Sequence, residues 1–150
     1  MKRYLLTATL GLTIAGAPMA VAQVPVLADN LIAARQAGMD LQFALAGAVK
    51  RGLDSKGDVK VWKDAGDGFA AWGKAIPGQF AKGSESGHNT RALPAIWSDH
   101  SGFEKAAATL SEAGQALSKA AAAGSTEEVN SAFQSVGAAC TGCHRTYRAR

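Results

Sequence analysis

The pentapeptide Cys140-Thr141-Gly142-Cys143-His144, close to the C-terminal end of the 150-residue chain, constrains this sequence more than any other feature. Its spacing is that of a c-type haem attachment site. One helical turn presents both thiols to one porphyrin edge, where each adds across a vinyl group. His144 follows at once and offers a ring nitrogen to the iron as the proximal axial ligand. The chain has no other cysteine. Three other uses of these residues compete. A thioredoxin-like redox pair sits beside a βαβ pattern, and no strand is evident before Cys140. Structural zinc asks for four Cys or His ligands with a second paired cluster, whereas only His88 and His100 remain, on stretches that read as loops. A chance match, or a disulfide closing a very tight loop, is the third.

The N-terminus points the same way independently. Lys2 and Arg3 form a positive n-region, residues 4–17 an apolar h-region, and Ala20-Val21-Ala22 a small-x-small cleavage site, so Gln23 is the expected first mature residue. Residues 1–22 therefore read as a cleaved secretory signal peptide and residues 23–150 as the folded unit. The apolar run is broken by Thr7, Thr9, Thr13 and Pro18 and is short against the ~20 residues of a membrane-spanning helix, which disfavours an uncleaved anchor. A periplasmic protein with no membrane span in its mature form is expected, and c-type haem is attached outside the cytoplasm. The chain carries 16 basic and 12 acidic residues. Lys2 and Arg3 leave with the signal, so 14 basic residues face the same 12 acidic ones. That small excess is no nucleic-acid or membrane footprint. Arg145, Arg148 and Arg150 cluster as either a docking patch or a solvated helix end.

The 128 residues from Gln23 onward suit one domain. Alanine is abundant, and β-branched residues neither cluster nor alternate, so strands are not indicated. Segment 27–51 repeats Leu31, Arg35, Met39, Gln42, Leu45 and Val49 on one helical face. Gly52 follows as a stop, with Lys50 and Arg51 in the last turn. Segment 58–80 has Ser55 or Asp58 as N-cap and a ladder of Trp62, Ala65, Phe69, Trp72, Ile76 and Phe80, which Pro77 should bend or end. Residues 82–94, dense in Gly, Ser, Asn and charge, are irregular.

A turn around Ile96 and Trp97 precedes a third helix, which Ser98, Asp99 or Ser101 could cap and Gly124 terminates. Its buried stripe is Phe103, Ala107, Leu110, Gly114, Leu117 and Ala121. The fourth opens on a capping box, Ser125-x-x-Glu128, and carries Val129, Phe133, Val136, Cys140, Cys143 and Tyr147 at helical period. Four amphipathic helices with three connections predict an all-α antiparallel four-helix bundle. Gly38, Gly47, Gly66, Gly68 and Gly73 interrupt helix interiors at about 1 kcal/mol each relative to Ala. A haem enclosed by the bundle would fill the room that such small residues leave.

An exported four-helix chain with Cys-x-x-Cys-His near its C-terminal end resembles the class II c-type cytochromes, the cytochromes c′ and c-556. The resemblance covers essentially the whole mature chain. Arg35-Gln36-Ala37-Gly38-Met39 is similar to the family's first-helix motif, Pro94-Ala95-Ile96-Trp97-Ser98-Asp99 to its approach to the third helix, and Tyr147-Arg148 to the place of a basic residue beside the proximal histidine. The resemblance implies Arg35 and Gln36 at the haem propionate edge, Met39 and Phe80 on the distal side, and Arg148 on the proximal side. Trp72 is a second candidate for the distal wall. The residues are compatible with this. Arg35 and Met39 share a face, and an arginine on an apolar stripe needs an anionic partner. That partner is a propionate or, alternatively, Asp29 or Asp40. Met39 can equally be core filling, and Gly38 beside it could let the first helix approach the haem closely or flex.

Two functions follow. One is a five-coordinate, His144-ligated iron that transfers electrons and binds NO or CO in a crowded apolar pocket. The other is a six-coordinate, low-spin electron carrier in which Met39 is the sixth ligand, which would raise the potential. The Arg35-Gln36…Met39 and Trp97-Ser98-Asp99 contexts favour the first. No distal histidine is apparent, so an oxygen carrier or peroxidase is disfavoured, and neither function is enzymatic. The resemblance also implies a homodimer and a periplasmic redox partner.

Overall fold

The apolar periodicity resolves into four long helices in a computed structural model that describes residues 24–150. The expected signal peptide, residues 1–22, lies outside the described residues. Helix α1 spans Val24–Asp54 and runs past its expected stop at Gly52. Gly52 instead receives the indole of Trp62, whose Cε2 would lie 2.8 Å from an added Cβ. The buried face of α1 is also turned slightly from the expected one: Ile32 is fully buried, whereas Leu31 is only partly so.

The second segment is not one helix but three pieces. A 3₁₀ turn, Val59–Trp62, is capped by Asp58, whose carboxylate accepts from the Lys60 N–H at 2.9 Å. Helix α2, Lys63–Ala75, follows, and the chain then tightens into a second 3₁₀ turn, Ile76–Phe80. Pro77 causes this, because its ring and missing N–H do not suit a continuing α-helix. Residues 81–94 are irregular, as expected, and are followed by a single turn, α3, Ala95–Ser98. Helix α4, His100–Ala123, is capped by Asp99, which accepts from the Gly102 N–H at 3.2 Å. It ends at Gly124 in the left-handed region, φ 75°, where glycine carries no Cβ penalty. Helix α5, Thr126–Tyr147, starts on Ser125, whose hydroxyl accepts from the Glu128 N–H at 3.3 Å. An isolated antiparallel bridge joins Ala92 to Arg148 just beyond α5.

Helix α4 is the hub. It packs on α2 and on α5, with Phe69, Phe103, Ile96, Leu117, Val129 and Val136 buried between the elements. The interior glycines do not leave room for a cofactor. A Cβ on Gly66 would collide with the Ser118 backbone, one on Gly73 would lie 2.9 Å from the Ala107 carbonyl oxygen, and one on Gly114 would meet Gly66 and Ala70. These residues let the α2 and α4 backbones approach closely. Gly38 accommodates the Trp72 ring, so its role is packing and not approach to a cofactor. A roomier space lies elsewhere, between α1 and α5. Gly73→Ala should therefore destabilise the protein by about 1–3 kcal/mol, the usual range for overpacking. Gly137→Ala should stabilise it by up to about 1 kcal/mol, because a Cβ on that α5 residue meets nothing within 4 Å. Urea denaturation of the two variants checks both signs.

Candidate haem site

A cavity of about 740 Å³ opens between α1 and α5. Arg35, Gln36, Met39, Asp40 and Phe43 line it from α1, and Cys143, His144, Tyr147 and Arg148 from the end of α5. Phe80, Ile96 and Phe103 supply apolar lining from the bundle, and Asn89, Thr90, Arg91 and Ala92 edge it from the irregular segment. The helical repeat explains the α1 wall, because Arg35, Met39 and Phe43 follow one another at intervals of four.

Arg35, Gln36, Met39, Phe80, Cys143, His144 and Arg148 of the candidate residues thus meet at one cavity. Cys140 is the exception: it is half-buried one turn before Cys143, packs against the core, and does not line the cavity. Trp72 is likewise absent from the lining, because its ring is engaged on Gly38. Both thiols are free, so the pair closes no disulfide. Among the described residues no three His, Cys, Asp or Glu side chains converge as a metal-ion cluster. His88 faces Asp29 at 3.2 Å and His100 faces Glu104 at 3.5 Å.

Electrostatics keeps the ligating groups in useful states. Burial pushes the His144 imidazole below its ordinary value, and Arg148 and Arg91 push it the same way. The neutral ring, with a free lone pair, is the form that ligates a metal. Burial raises both thiols, and Cys140 adds to the effect on Cys143, so each rests as the protonated thiol.

Arg35 is the one buried cation of the site, 3% exposed. Burial lowers its pKa, while Glu85 acts in the opposite direction. Among the described residues it forms no ion pair, and Asp29 is engaged with His88. Its Nη1 donates to the Gln79 carbonyl at 3.2 Å and to Ser84 Oγ at 2.8 Å. Its Nη2 donates to the Ser84 carbonyl at 2.7 Å and to Thr90 Oγ1 at 3.0 Å. The guanidinium also lies 4.5 Å from the Phe80 ring centroid, within cation–π range. Gln36 donates through Nε2 to the His88 carbonyl at 3.0 Å.

Several site residues escaped the sequence reading. Thr90, Arg91 and Ala92 sit in an aperiodic stretch and carry no motif. Phe103 and Tyr147 were legible as helix-face residues but not as cavity lining. The Tyr147 hydroxyl donates to Asp99 Oδ2 at 2.9 Å while Asp99 Oδ1 caps α4, tying the His144 turn to the start of α4. Its ring stands edge-on to Phe103 with centroids 5.2 Å apart. Tyr147→Phe keeps the ring and removes this tie. Thermal denaturation should show a loss of about 1 kcal/mol.

These residues fit a large, mainly apolar group with an anionic edge. The lining is aromatic and aliphatic, the Cys143 thiol and a neutral imidazole lie at one wall with Cys140 one turn earlier on the same helix, and a buried cation without a carboxylate partner stands at the rim. Comparison with known proteins agrees. The family model described as cytochrome c′ matches residues 30–148. The cytochrome c′ of Pararhodospirillum photometricum is 31% identical over 115 residues, covering 77% of this chain and 90% of that protein. The crystal structure of cytochrome c′ from Thermochromatium tepidum superposes with a TM-score of 0.76 at 31% identity, covering 82% of this chain and 97% of that one. A nitric oxide complex of a variant cytochrome c′ from Alcaligenes xylosoxidans superposes with a TM-score of 0.73 at 26% identity, covering 82% and 97%.

Proposed function

The chain belongs to the cytochrome c′ family, and from that premise we propose the role of each residue at its single covalent haem. The protein is a periplasmic monohaem c-type cytochrome, redox-active and not an enzyme. When bound, the haem supplies one-electron chemistry and an iron position for a diatomic gas. Cys143 and, one turn earlier on the same helix, Cys140 provide the thioether sulfurs. His144 provides the axial nitrogen, kept unprotonated by its burial and by the two nearby arginines.

Met39 and Phe80 form the distal side. Met39 would fill space there and not ligate, which would leave His144 as the protein's one ligand to the iron and let the iron take NO or CO. The nitric oxide complex of the Alcaligenes protein supports that reading. Met39, Phe80 and Phe103 give that part of the lining an apolar wall, which suits a small neutral gas, since such a ligand loses little hydration on entering. Arg35 and Gln36 stand at the propionate edge, Arg35 mainly as a positive charge, because most of its N–H groups are already engaged. Arg148 stands on the proximal side and Arg91 beside it. Self-association as a homodimer completes the proposal, with the exposed apolar side chains Leu41 of α1 and Val61 of the turn before α2 as the residues to substitute when testing it.

One observation carries this reading: Cys143 and His144 face Met39 and Phe80 across a single cavity. Carbon monoxide added to the reduced protein tests it. A five-coordinate iron binds CO with a shifted absorption spectrum and needs no ligand displaced. A spectrum that CO leaves unchanged contradicts the open position.

A further inference from the structure

The irregular segment 81–93 is attached to both walls of the cavity. At one end it is bound to α1. Arg35 donates to Ser84 Oγ, to the Ser84 carbonyl and to Thr90 Oγ1, while Ser84, fully buried, donates its own hydroxyl to the Ala81 carbonyl at 2.7 Å. Gln36 and Asp29 add ties from α1 to His88. At the other end the segment is bound beyond α5. The Leu93 N–H donates to the Tyr147 carbonyl at 3.0 Å, and the Ala149 N–H donates to the Arg91 carbonyl at 2.8 Å. Between these anchors, residues 89–92 edge the cavity.

A guanidinium has five N–H donors in a fixed fork. Four of the hydrogen bonds around Arg35 use its two terminal nitrogens, all of them to neutral oxygens of residues 79–90. Only Nε–H is left for anything else. A side chain that served only as a counter-charge to an anion would not be committed in this way. Lysine could supply the same charge but not the fork, because its ammonium is a point donor. The turns it stabilises also need holding. His88 and Asn89 both have positive φ, 46° and 52°, a region that non-glycine residues enter at a cost.

We propose that Arg35 is a positioning residue that, through Ser84 and Thr90, holds segment 81–93 as a strap from α1 to the end of α5. The strap sets how wide the cavity mouth stands. It joins the helix that carries Met39 to the helix that carries His144, which otherwise face each other across the cavity. The inference concerns the chain's own hydrogen bonds and holds for either coordination number of the iron.

Two variants of the haem-containing protein separate this role from that of a counter-charge. Arg35→Lys keeps the charge and removes the fork. The double variant Ser84→Ala, Thr90→Val keeps Arg35 whole and removes two of its acceptors. Amide hydrogen exchange is read at Leu93 and Ala149, whose N–H groups close the far end of the strap, and at buried α4 amides as reference. Both variants should accelerate exchange at Leu93 and Ala149 by about tenfold or more, the factor for loss of roughly one charge-assisted hydrogen bond, and leave the α4 amides unchanged. Carbon monoxide association with the reduced protein should quicken in both. If Arg35→Lys, which keeps the charge, exchanges and binds CO as the wild type does, Arg35 acts by charge alone and the strap is refuted; wild-type exchange and CO binding in the double variant refute it through Ser84 and Thr90. Unchanged exchange in both variants refutes it as well. The absorption spectrum of each variant reports separately on the haem and its coordination.

Discussion

Serine at both Cys140 and Cys143 will give a protein without covalent haem and with a markedly lower melting temperature. A hydroxyl does not add to the vinyl groups, so porphyrin absorbance will be extracted completely by acidified organic solvent, whereas the wild type will retain it when denatured. The stability loss follows from how α1 is held. It packs against α2 and the two 3₁₀ turns, and its remaining face looks across the cavity at α5. Without a tethered group, Met39, Phe80, Ile96 and Phe103 border water-filled space. Losing a tightly held group that binds only the native state costs about 4 kcal/mol or more, or roughly 10–20 °C for a domain of this size. Calorimetry of the purified variant measures it. A variant that keeps its porphyrin after extraction would remove these two residues from the attachment.

Met39→Ala produces the second large effect. Met39 stands on the cavity face of α1 with no polar partner, so its truncation empties the distal side and leaves the proximal wall intact. Carbon monoxide association with the reduced protein should accelerate by about tenfold or more, since removing a steric barrier of ~1.4 kcal/mol is a factor of ten. The ferric spectrum should stay as it is in the wild type. Stopped-flow mixing with CO checks the rate. Equal rates would place Met39 outside the ligand's path.

Much of this was legible because it is local. A cap acts on residues two or three positions away, so Ser125 and Gly124 were named as helix boundaries and Asp58 and Asp99 were among the alternatives, and all four are boundaries in the fold. Arg35, Met39, Phe80, Cys143, His144 and Arg148 were likewise traceable to short motifs and helical period, and they line one cavity. What escaped depends on contacts between distant residues. Ser84 and Thr90 receive Arg35 across 49 and 55 positions, and nothing near them in sequence marks them out. Gly66 and Gly73 of α2 looked like room for a cofactor but serve the approach to α4, a distinction that requires knowing which helix lies opposite. Trp72 occupied the same periodic ladder as Phe80, yet Gly38 takes its ring away from the cavity. Pro77 was read correctly as an interruption. That Val59–Trp62 would also tighten into a 3₁₀ turn had no comparable signal.

The most direct test of the account is the ferric electron paramagnetic resonance spectrum of the purified wild-type protein, recorded beside Met39→Ala. A five-coordinate iron bound by His144 alone predicts a high-spin signal in both, with Met39 filling the distal side without touching the metal. A low-spin wild type that becomes high-spin on substitution would instead make Met39 the sixth ligand and contradict the open site.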